Sequence, residues 1–246
     1  MFSFLKNHPF ANEAFFESSI ILTFAFPKKQ LAELIPPCLT LDTLNDNWAF
    51  IAIAMVQTKE LRPKGFPKCL GNNFFLIGYR IFVRYINNEG KNLRGLYILK
   101  SETDKKKMEI LGNIFTHYNY TTTDIFQKRT GTLKEIGSIK SDFNLLIDTS
   151  KQNILLPDNS PFENWKQARR FAGPLPFTFT FDNKTKKVLI IEGVRQHWVP
   201  EPLHVISQNF SFFKSMNLVN PLLANAFVID KVPYSWKRGK IEIWKK

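Results

Sequence analysis

The chain has 246 residues, 44% of them hydrophobic and 14% aromatic, and a formal net charge of +13. This composition supports a sizeable core and excludes an intrinsically disordered protein. The most apolar run, residues 48–56, is too short to span a bilayer, and the first nine residues lack the pattern of a signal peptide. We therefore expect one domain, residues 1–246, in a soluble cytoplasmic protein without a transmembrane segment.

The positive charge is spread along the chain. Lysines and arginines form small clusters at predicted turns and helix starts: 28–29, 105–107, 186–187, 237–238 and 245–246. Such scattering is typical of a solvated surface, whereas nucleic-acid readers concentrate basic residues on one element. We expect some non-specific binding to polyanions and no specific nucleic-acid partner.

The residues that bind metals and cofactors are few. Cys38 and Cys69 lie 31 residues apart without a CxxC motif, and there are only four His. This spacing predicts no metal site, and both cysteines are expected to be buried or half-buried free thiols. No Gly-rich phosphate loop, nucleotide or flavin signature is present, so we expect no cofactor.

The first half of the chain predicts mainly strands. Residues 18–26 are β-branched and aromatic, and 28–35 predict a short helix that ends at Pro36-Pro37. The apolar run 48–59 predicts a strand buried on both faces, while 74–86 and 94–102 predict a hairpin. Thr103 or Asp104 is expected to cap a helix that runs through Phe115, and short strands follow at 120–129, 132–138 and 143–148.

The second half continues in the same style. A helix is expected to start near Asn159 and Pro161 and to run through Ala168. Residues 177–181 and 188–194 predict a hairpin, since the first alternates Phe and Thr with period two. A strand at 203–213, a small helix at 221–227 and strands at 232–236 and 241–244 complete the pattern. The sequence thus predicts a β-rich α+β domain with antiparallel strands and three or four short helices.

This order of elements is similar to that of a known superfamily. The segments that carry the likeness share its order: 27–41 with Leu34-Ile-Pro-Pro37, 49–53, 78–84, 94–99 and 225–230. They resemble the acetoacetate decarboxylase-like superfamily and, within it, the uncharacterised YqjF-like family. The resemblance implies a closed or conical antiparallel β-barrel with a few short outer helices, a central cavity and, in many members, a homo-oligomer.

The resemblance also directs attention to a missing lysine. Acetoacetate decarboxylase forms an imine through a lysine whose amine is activated by a neighbouring cation. By position, its paired lysines fall near Asn119 and Tyr120, and its acidic residue falls near Leu76. Lys105 to Lys107 come too early, in the first turn of the preceding helix. The sequence therefore argues against decarboxylation through an imine.

Polar residues after that helix are the first ligand-binding candidates. His117, Asn119 and Tyr120 are expected at the cavity mouth. If residues 116–120 form a strand, His117 and Asn119 share one face while Tyr118 and Tyr120 share the other.

Two further groups complete the candidate site. Arg80 lies on the long strand with Tyr79 on the opposite face, and an inward Arg80 would clamp a carboxylate; the alternative is a surface arginine. Arg195 and His197 follow the second hairpin. His197 would act as a general base if a carboxylate such as Glu192 lay close, and the alternative is a hydrogen-bonded loop residue.

Three functions are compatible with these patterns. The first is a barrel that binds an apolar or weakly acidic small molecule. The second is an enzyme of different chemistry that uses His117 or His197 as acid or base on a small carbonyl or carboxylate substrate. The third is a basic surface protein that binds nucleic acid or an anionic membrane.

Overall fold

The computed structural model describes residues 3–173 and 175–245, and strands dominate this part of the chain. The strands are β1 Asn12–Pro27, β2 Thr40–Leu41, β3 Trp48–Pro63, β4 Asn72–Ile86, β5 Asn92–Thr103, β6 Tyr120–Thr122, β7 Phe126–Thr130, β8 Leu133–Ser138, β9 Phe143–Asp148, β10 Phe177–Asp182, β11 Lys187–Arg195, β12 Glu201–Pro202, β13 His204–Phe210, β14 Leu222–Trp236 and β15 Lys240–Ile243. The helices are α1 Lys28–Leu31, α2 Lys106–Phe115, α3 Trp165–Phe171 and α4 Ser211–Ser215, with 3₁₀ turns at Ser3–Asn7, Ala32–Leu34 and Lys68–Leu70. Among these helices, none is long and apolar enough to cross a membrane.

The larger sheet closes on itself. Its strands follow the order β14-β1-β3-β4-β5-β10-β11, and β11 pairs again with β14 through Gly193–Trp236 and Arg195–Tyr234. We call this circuit of seven strands the ring. Strands β2, β6, β12 and β15 attach to its members.

The ring is mixed, so the expectation of a purely antiparallel sheet was wrong. Within the ring, β10 pairs with β5 in parallel, whereas the other neighbouring strands are antiparallel. The attached strand β6 also pairs with β5 in parallel. Parallel neighbours require a long crossover connection. α2 provides it between β5 and β6, and the whole segment from α2 to α3 provides it between β5 and β10.

The main core lies on the outer face of the ring. β13, β9, β8 and β7 form a second, four-stranded sheet. Ile51, Ile53 and Met55 of β3 join one apolar cluster with Leu145 and Ile147 of this sheet. The intervening residues of β3 face into the ring, which confirms that this strand is buried on both faces.

An aromatic cluster fills one end of the ring interior. Phe50 of β3 stacks on Phe162 with ring centroids 5.3 Å apart, and Phe82 and Phe171 pack beside them. At this end Asp42 is fully buried and accepts hydrogen bonds of 2.7 Å from both Arg84 and Arg94. We call the apolar cluster of Phe50, Phe82, Phe162 and Phe171, which also includes Ala52 and Leu175, the aromatic floor.

Two helix starts differ from the sequence expectation. α2 begins without a side-chain cap, because Asp104 instead accepts a hydrogen bond from the backbone N–H of Phe75. α3 begins only at Trp165, where the side chain of Asn164 accepts from the N–H of Gln167.

The prediction of a small helix at 221–227 was wrong, because this segment is the first half of β14. It pairs with β1, for example Ala226 with Leu22. Burial between neighbouring strands outweighs the helix propensity of such a short run. The thiols of Cys38 and Cys69 are free as expected, but only Cys38 is half-buried, while Cys69 is exposed in a 3₁₀ turn.

Candidate ligand-binding cavity

A cavity of about 310 Å³ occupies the end of the ring opposite the aromatic floor. Inward-facing residues of the ring strands supply its apolar wall: Phe16, Ile21, Ala54, Val56, Phe74, Leu76, Leu96 and Ile98. Ile21, Leu96 and Leu175 line the cavity and also contact the aromatic floor, so they mark its inner end. α2 and the N-terminal residues His8 to Phe10 cover the opposite end.

Arg80 projects into this cavity from β4. A β-bulge between Tyr79 and Arg80 shifts the pairing with β5 at this point. A Cβ on Gly78 would lie 2.6 Å from Arg80 Nε and 2.8 Å from its Nη2, so the missing side chain leaves room for the guanidinium. Nε is buried without a hydrogen-bond partner. The wall thus holds a guanidinium that no protein acceptor satisfies at this atom.

Arg195 enters the same cavity from β11. Its guanidinium lies 4.4 Å from the ring centroid of Trp198 and 5.7 Å from that of Tyr234. Its Nη2 is buried without a partner. Burial lowers the pKa of Arg195, and the positive charge of Arg80 lowers it further, whereas the Tyr234 hydroxyl raises it. The two guanidinium groups therefore sense each other's charge across one cavity.

A third arginine, Arg62, also lines the cavity, but its Nη2 pairs with Glu13 at 2.7 Å, and the other polar groups named here carry no charge. Trp198 Nε1, Ser19 Oγ and Thr58 Oγ1 are buried without partners. Within the described ranges 3–173 and 175–245, no Asp or Glu lines the cavity. Buried polar groups are normally hydrogen-bonded, and an unpaired one costs free energy. The cavity thus combines two guanidinium groups that have unpaired buried nitrogens with further free donors and a mostly apolar wall.

Tyr118 and Tyr120 close the side of the cavity next to α2, with ring centroids 6.3 Å apart. Asn113 fixes this segment, because its side chain bonds both the N–H and the C=O of Tyr120. Burial raises the pKa of Tyr120 to about 12, against the opposing charge of Arg80. Burial raises the pKa of Tyr118 as well. Both side chains are neutral phenols at pH 7 and can donate hydrogen bonds to a ligand.

The structure thus brings three sequence candidates together in the cavity wall: Arg80, Tyr120 and Arg195. Tyr79 lies on the outer face, where its hydroxyl donates to Glu102 at 2.9 Å and its ring stacks on Phe212.

The other three candidates lie outside the cavity wall. Asn119 is exposed with φ of 52°, and residues 116–119 are not a strand, so the expected strand was wrong, although Tyr118 and Tyr120 do share the cavity side as expected. His117 is half-buried, and burial lowers its pKa. His197 is exposed, while Glu192, its expected carboxylate partner, pairs with Lys237 at 2.9 Å.

Sequence reasoning missed several cavity residues. His8 is 5% exposed and lines the cavity, with Nε2 3.1 Å from Asn12 Nδ2 and Nδ1 unpaired. Nothing in the surrounding sequence distinguishes this histidine. Gly78 did carry a signal, since glycine inside a strand often marks a close approach of other atoms.

Comparison with known proteins places the chain in a family. The model of DUF2071, described as "Uncharacterized conserved protein (COG2071)", matches residues 14–231. No curated protein sequence matches significantly.

Solved structures share the fold at low sequence identity. Acetoacetate decarboxylase from Legionella pneumophila subsp. pneumophila str. Philadelphia 1 aligns with a TM-score of 0.61 and 9% identity over 94% of this chain and 86% of that chain. The enduracididine biosynthesis enzyme MppR complexed with pyruvate gives 0.56 and 9% over 96% and 92%. An acetoacetate decarboxylase-like enzyme from Sphingomonas wittichii RW1 gives 0.52 and 11% over 96% and 92%. The chain belongs to DUF2071, an uncharacterized family with the acetoacetate decarboxylase-like fold, as the sequence resemblance predicted.

Proposed function

We propose that this protein binds a small organic anion, with a carboxylate head and an apolar body, in the cavity of the ring. One observation carries the proposal: Arg80 and Arg195 present buried, unpaired N–H groups to a cavity that is otherwise mostly apolar. Arginine is suited to this role, because its fork of donors matches both oxygens of a carboxylate.

Electrostatics favours an anionic ligand over a neutral one. Two guanidinium groups in one partly desolvated cavity repel each other, and no acidic side chain among the described lining residues offsets them. A bound carboxylate would neutralise part of this charge and accept charge-assisted hydrogen bonds, each worth about 1.5–3 kcal/mol. The apolar wall would hold the body of the ligand, as in most small-molecule sites.

The fold supports the same proposal. We take the closed circuit of strands to be the expected conical barrel, with the cavity as its interior. The similar structure of MppR holds pyruvate, a small carboxylate, in a protein of this fold. Imine chemistry is not part of the proposal: no lysine occurs among the described lining residues, and Lys100 of β5 pairs with Glu102 at 2.6 Å instead.

An enzyme that uses a histidine is the second candidate, and the observation in its favour concerns a different histidine from those first considered. His8 lines the cavity with an unpaired Nδ1, and burial lowers its pKa, so its neutral form is available as a base.

Isothermal titration with sodium octanoate and neutral octanamide tests the proposed function. We expect octanoate to bind in preference to octanamide. Arg80→Gln and Arg195→Gln should each weaken octanoate binding about 10- to 150-fold. Arg129→Gln is the matched control, because Arg129 is an exposed arginine on the second sheet. Equal binding of octanoate and octanamide, or equal effects of all three substitutions, would contradict the proposal.

A salt series separates this function from binding at the basic surface. A buried carboxylate should keep most of its affinity between 50 and about 200 mM salt, whereas polyanion binding to exposed lysines falls steeply. A protein that ignores octanoate but binds polyanions in a salt-sensitive manner would support the surface alternative.

A further inference from the structure

Arg80 lies at the inner end of the cavity. Arg80 pairs with Ala52 of β3, and Ala52 belongs to the aromatic floor cluster. The next inward residue of β4 is Phe82, also in that cluster. Arg195 lies further towards the other end, because its guanidinium is 5.7 Å from the ring centroid of Tyr234. That ring stacks on Phe16, which is opposite Thr58 of β3. An anion bound to Arg80 would therefore sit deep in the ring.

The mouth lies several residues further along the same strands. Phe10 lines the cavity and is 54% exposed, so it marks the side that faces solvent. Thr58 of β3, opposite Phe74 and only 1% exposed, lies between Arg80 and this mouth. This order follows because Asn12, next to the Phe10 end, pairs with Pro63 further along β3. From Ala54, opposite Gly78, to Thr58 the strand rises four residues, or roughly 13 Å. The wall between them is apolar, with Val56 opposite Leu76 at its middle.

We infer that the ligand is a straight-chain aliphatic carboxylate that enters carboxylate first and extends its tail towards the mouth. This inference rests on the proposed function and specifies its ligand class. An extended chain advances about 1.3 Å per methylene, from C–C bonds of about 1.5 Å. The apolar path of roughly 13 Å therefore accommodates about ten carbons, and longer tails would reach the polar side chains of Asn72 and Arg62 before the mouth at Phe10.

A chain-length series tests the inference by titration of the full chain with sodium butyrate, hexanoate, octanoate, decanoate and dodecanoate. Affinity should rise with length, by up to about fourfold per methylene buried, and level off at about ten carbons. If butyrate binds as tightly as decanoate and Arg80→Gln weakens both, the anion site stands and the tail path is refuted. If no carboxylate binds, the proposed function fails and the ligand class fails with it.

Blocking the middle of the path provides an independent test. Val56→Phe fills the cavity about 7 Å from the level of Ala54, so it should lower decanoate affinity at least tenfold while butyrate affinity stays within about twofold. Leu76→Phe, from the opposite strand at the same level, should do the same and serves if Val56→Phe does not fold. Equal losses for butyrate and decanoate in the folded variant would overturn the tail path.

Discussion

Gly78→Ala should weaken ligand binding without weakening the fold. The added Cβ would lie 2.6 Å from Arg80 Nε, 2.8 Å from Nη2 and 3.1 Å from Cζ. The guanidinium must retreat by about 1 Å to restore ordinary contacts, which lengthens a 2.7–2.9 Å hydrogen bond beyond its useful range. Losing one charge-assisted bond costs about 1.5–3 kcal/mol, so the Kd for octanoate should rise about 10- to 150-fold.

Stability should move in the opposite direction. Alanine is favoured over glycine inside a strand by about 0.5–1 kcal/mol, and the displaced group is the flexible end of a side chain. We therefore expect the free energy of unfolding in urea to stay level or rise by up to about 1 kcal/mol. Titration calorimetry of octanoate and urea unfolding, both on the same variant, measure the two effects.

A double variant controls for indirect effects. In the Arg80→Gln background, Gly78→Ala should leave octanoate affinity unchanged, because the group that it displaces is gone. Unchanged affinity in the single variant would refute the reasoning. A loss of affinity that persists in the Arg80→Gln background would show that Gly78 acts through another part of the wall.

Three further predictions concern other parts of the molecule. Asp42→Asn should lower the free energy of unfolding by about 3 kcal/mol, because it leaves Arg84 and Arg94 unpaired. Asp46→Asn, which removes an exposed ion pair, should change it by less than about 1 kcal/mol. Similar effects of the two substitutions would contradict the role of Asp42 as a buried ion-pair partner. Burial lowers the pKa of His8 from its usual 6.5, so the unfolded chain takes up this proton at higher pH than the folded protein. Stability should be full above pH 6.5 and fall as the pH drops below it, by at most about 1.4 kcal/mol per pH unit, and urea unfolding of His8→Gln should show a shallower slope. Burial raises the pKa of Cys38 to about 11, whereas Cys69 is exposed. Iodoacetamide at pH 8 should therefore label Cys69 rapidly and Cys38 slowly, which mass spectrometry of tryptic peptides measures. Equal labelling rates would contradict the difference in exposure.

Local patterns predicted most of the strands. The turn at residues 87–90 and its apolar flanks placed β4 and β5, and the Phe-Thr alternation placed β10 and β11. The first half of β14 was missed, because its inward and outward positions are defined by β1, more than 190 residues away in sequence. The parallel pairing of β10 with β5 was missed for the same reason, since it depends on tertiary packing.

The candidate site was predictable only in part. The sequence suggested Arg80 as a carboxylate-binding residue and Arg195 as a further ligand-binding candidate, but it could not reveal that they share one cavity. That depends on the closure of the ring between β11 and β14. His117 and Asn119 were expected at the cavity mouth, but residues 116–119 form no strand and neither of these two side chains lines the cavity. His8 reaches the cavity because the backbone N–H of Gly239 bonds its carbonyl oxygen, a contact between the two ends of the chain.

A crystal structure with 8-bromooctanoate tests the central claim most directly, because the anomalous signal of bromine fixes the direction of the ligand. The account predicts the carboxylate about 2.7–2.9 Å from donor nitrogens of Arg80 and Arg195, with the bromine towards Phe10 at the mouth. A ligand bound outside the ring, or inside it with the carboxylate at the mouth and no contact to either arginine, would contradict the account.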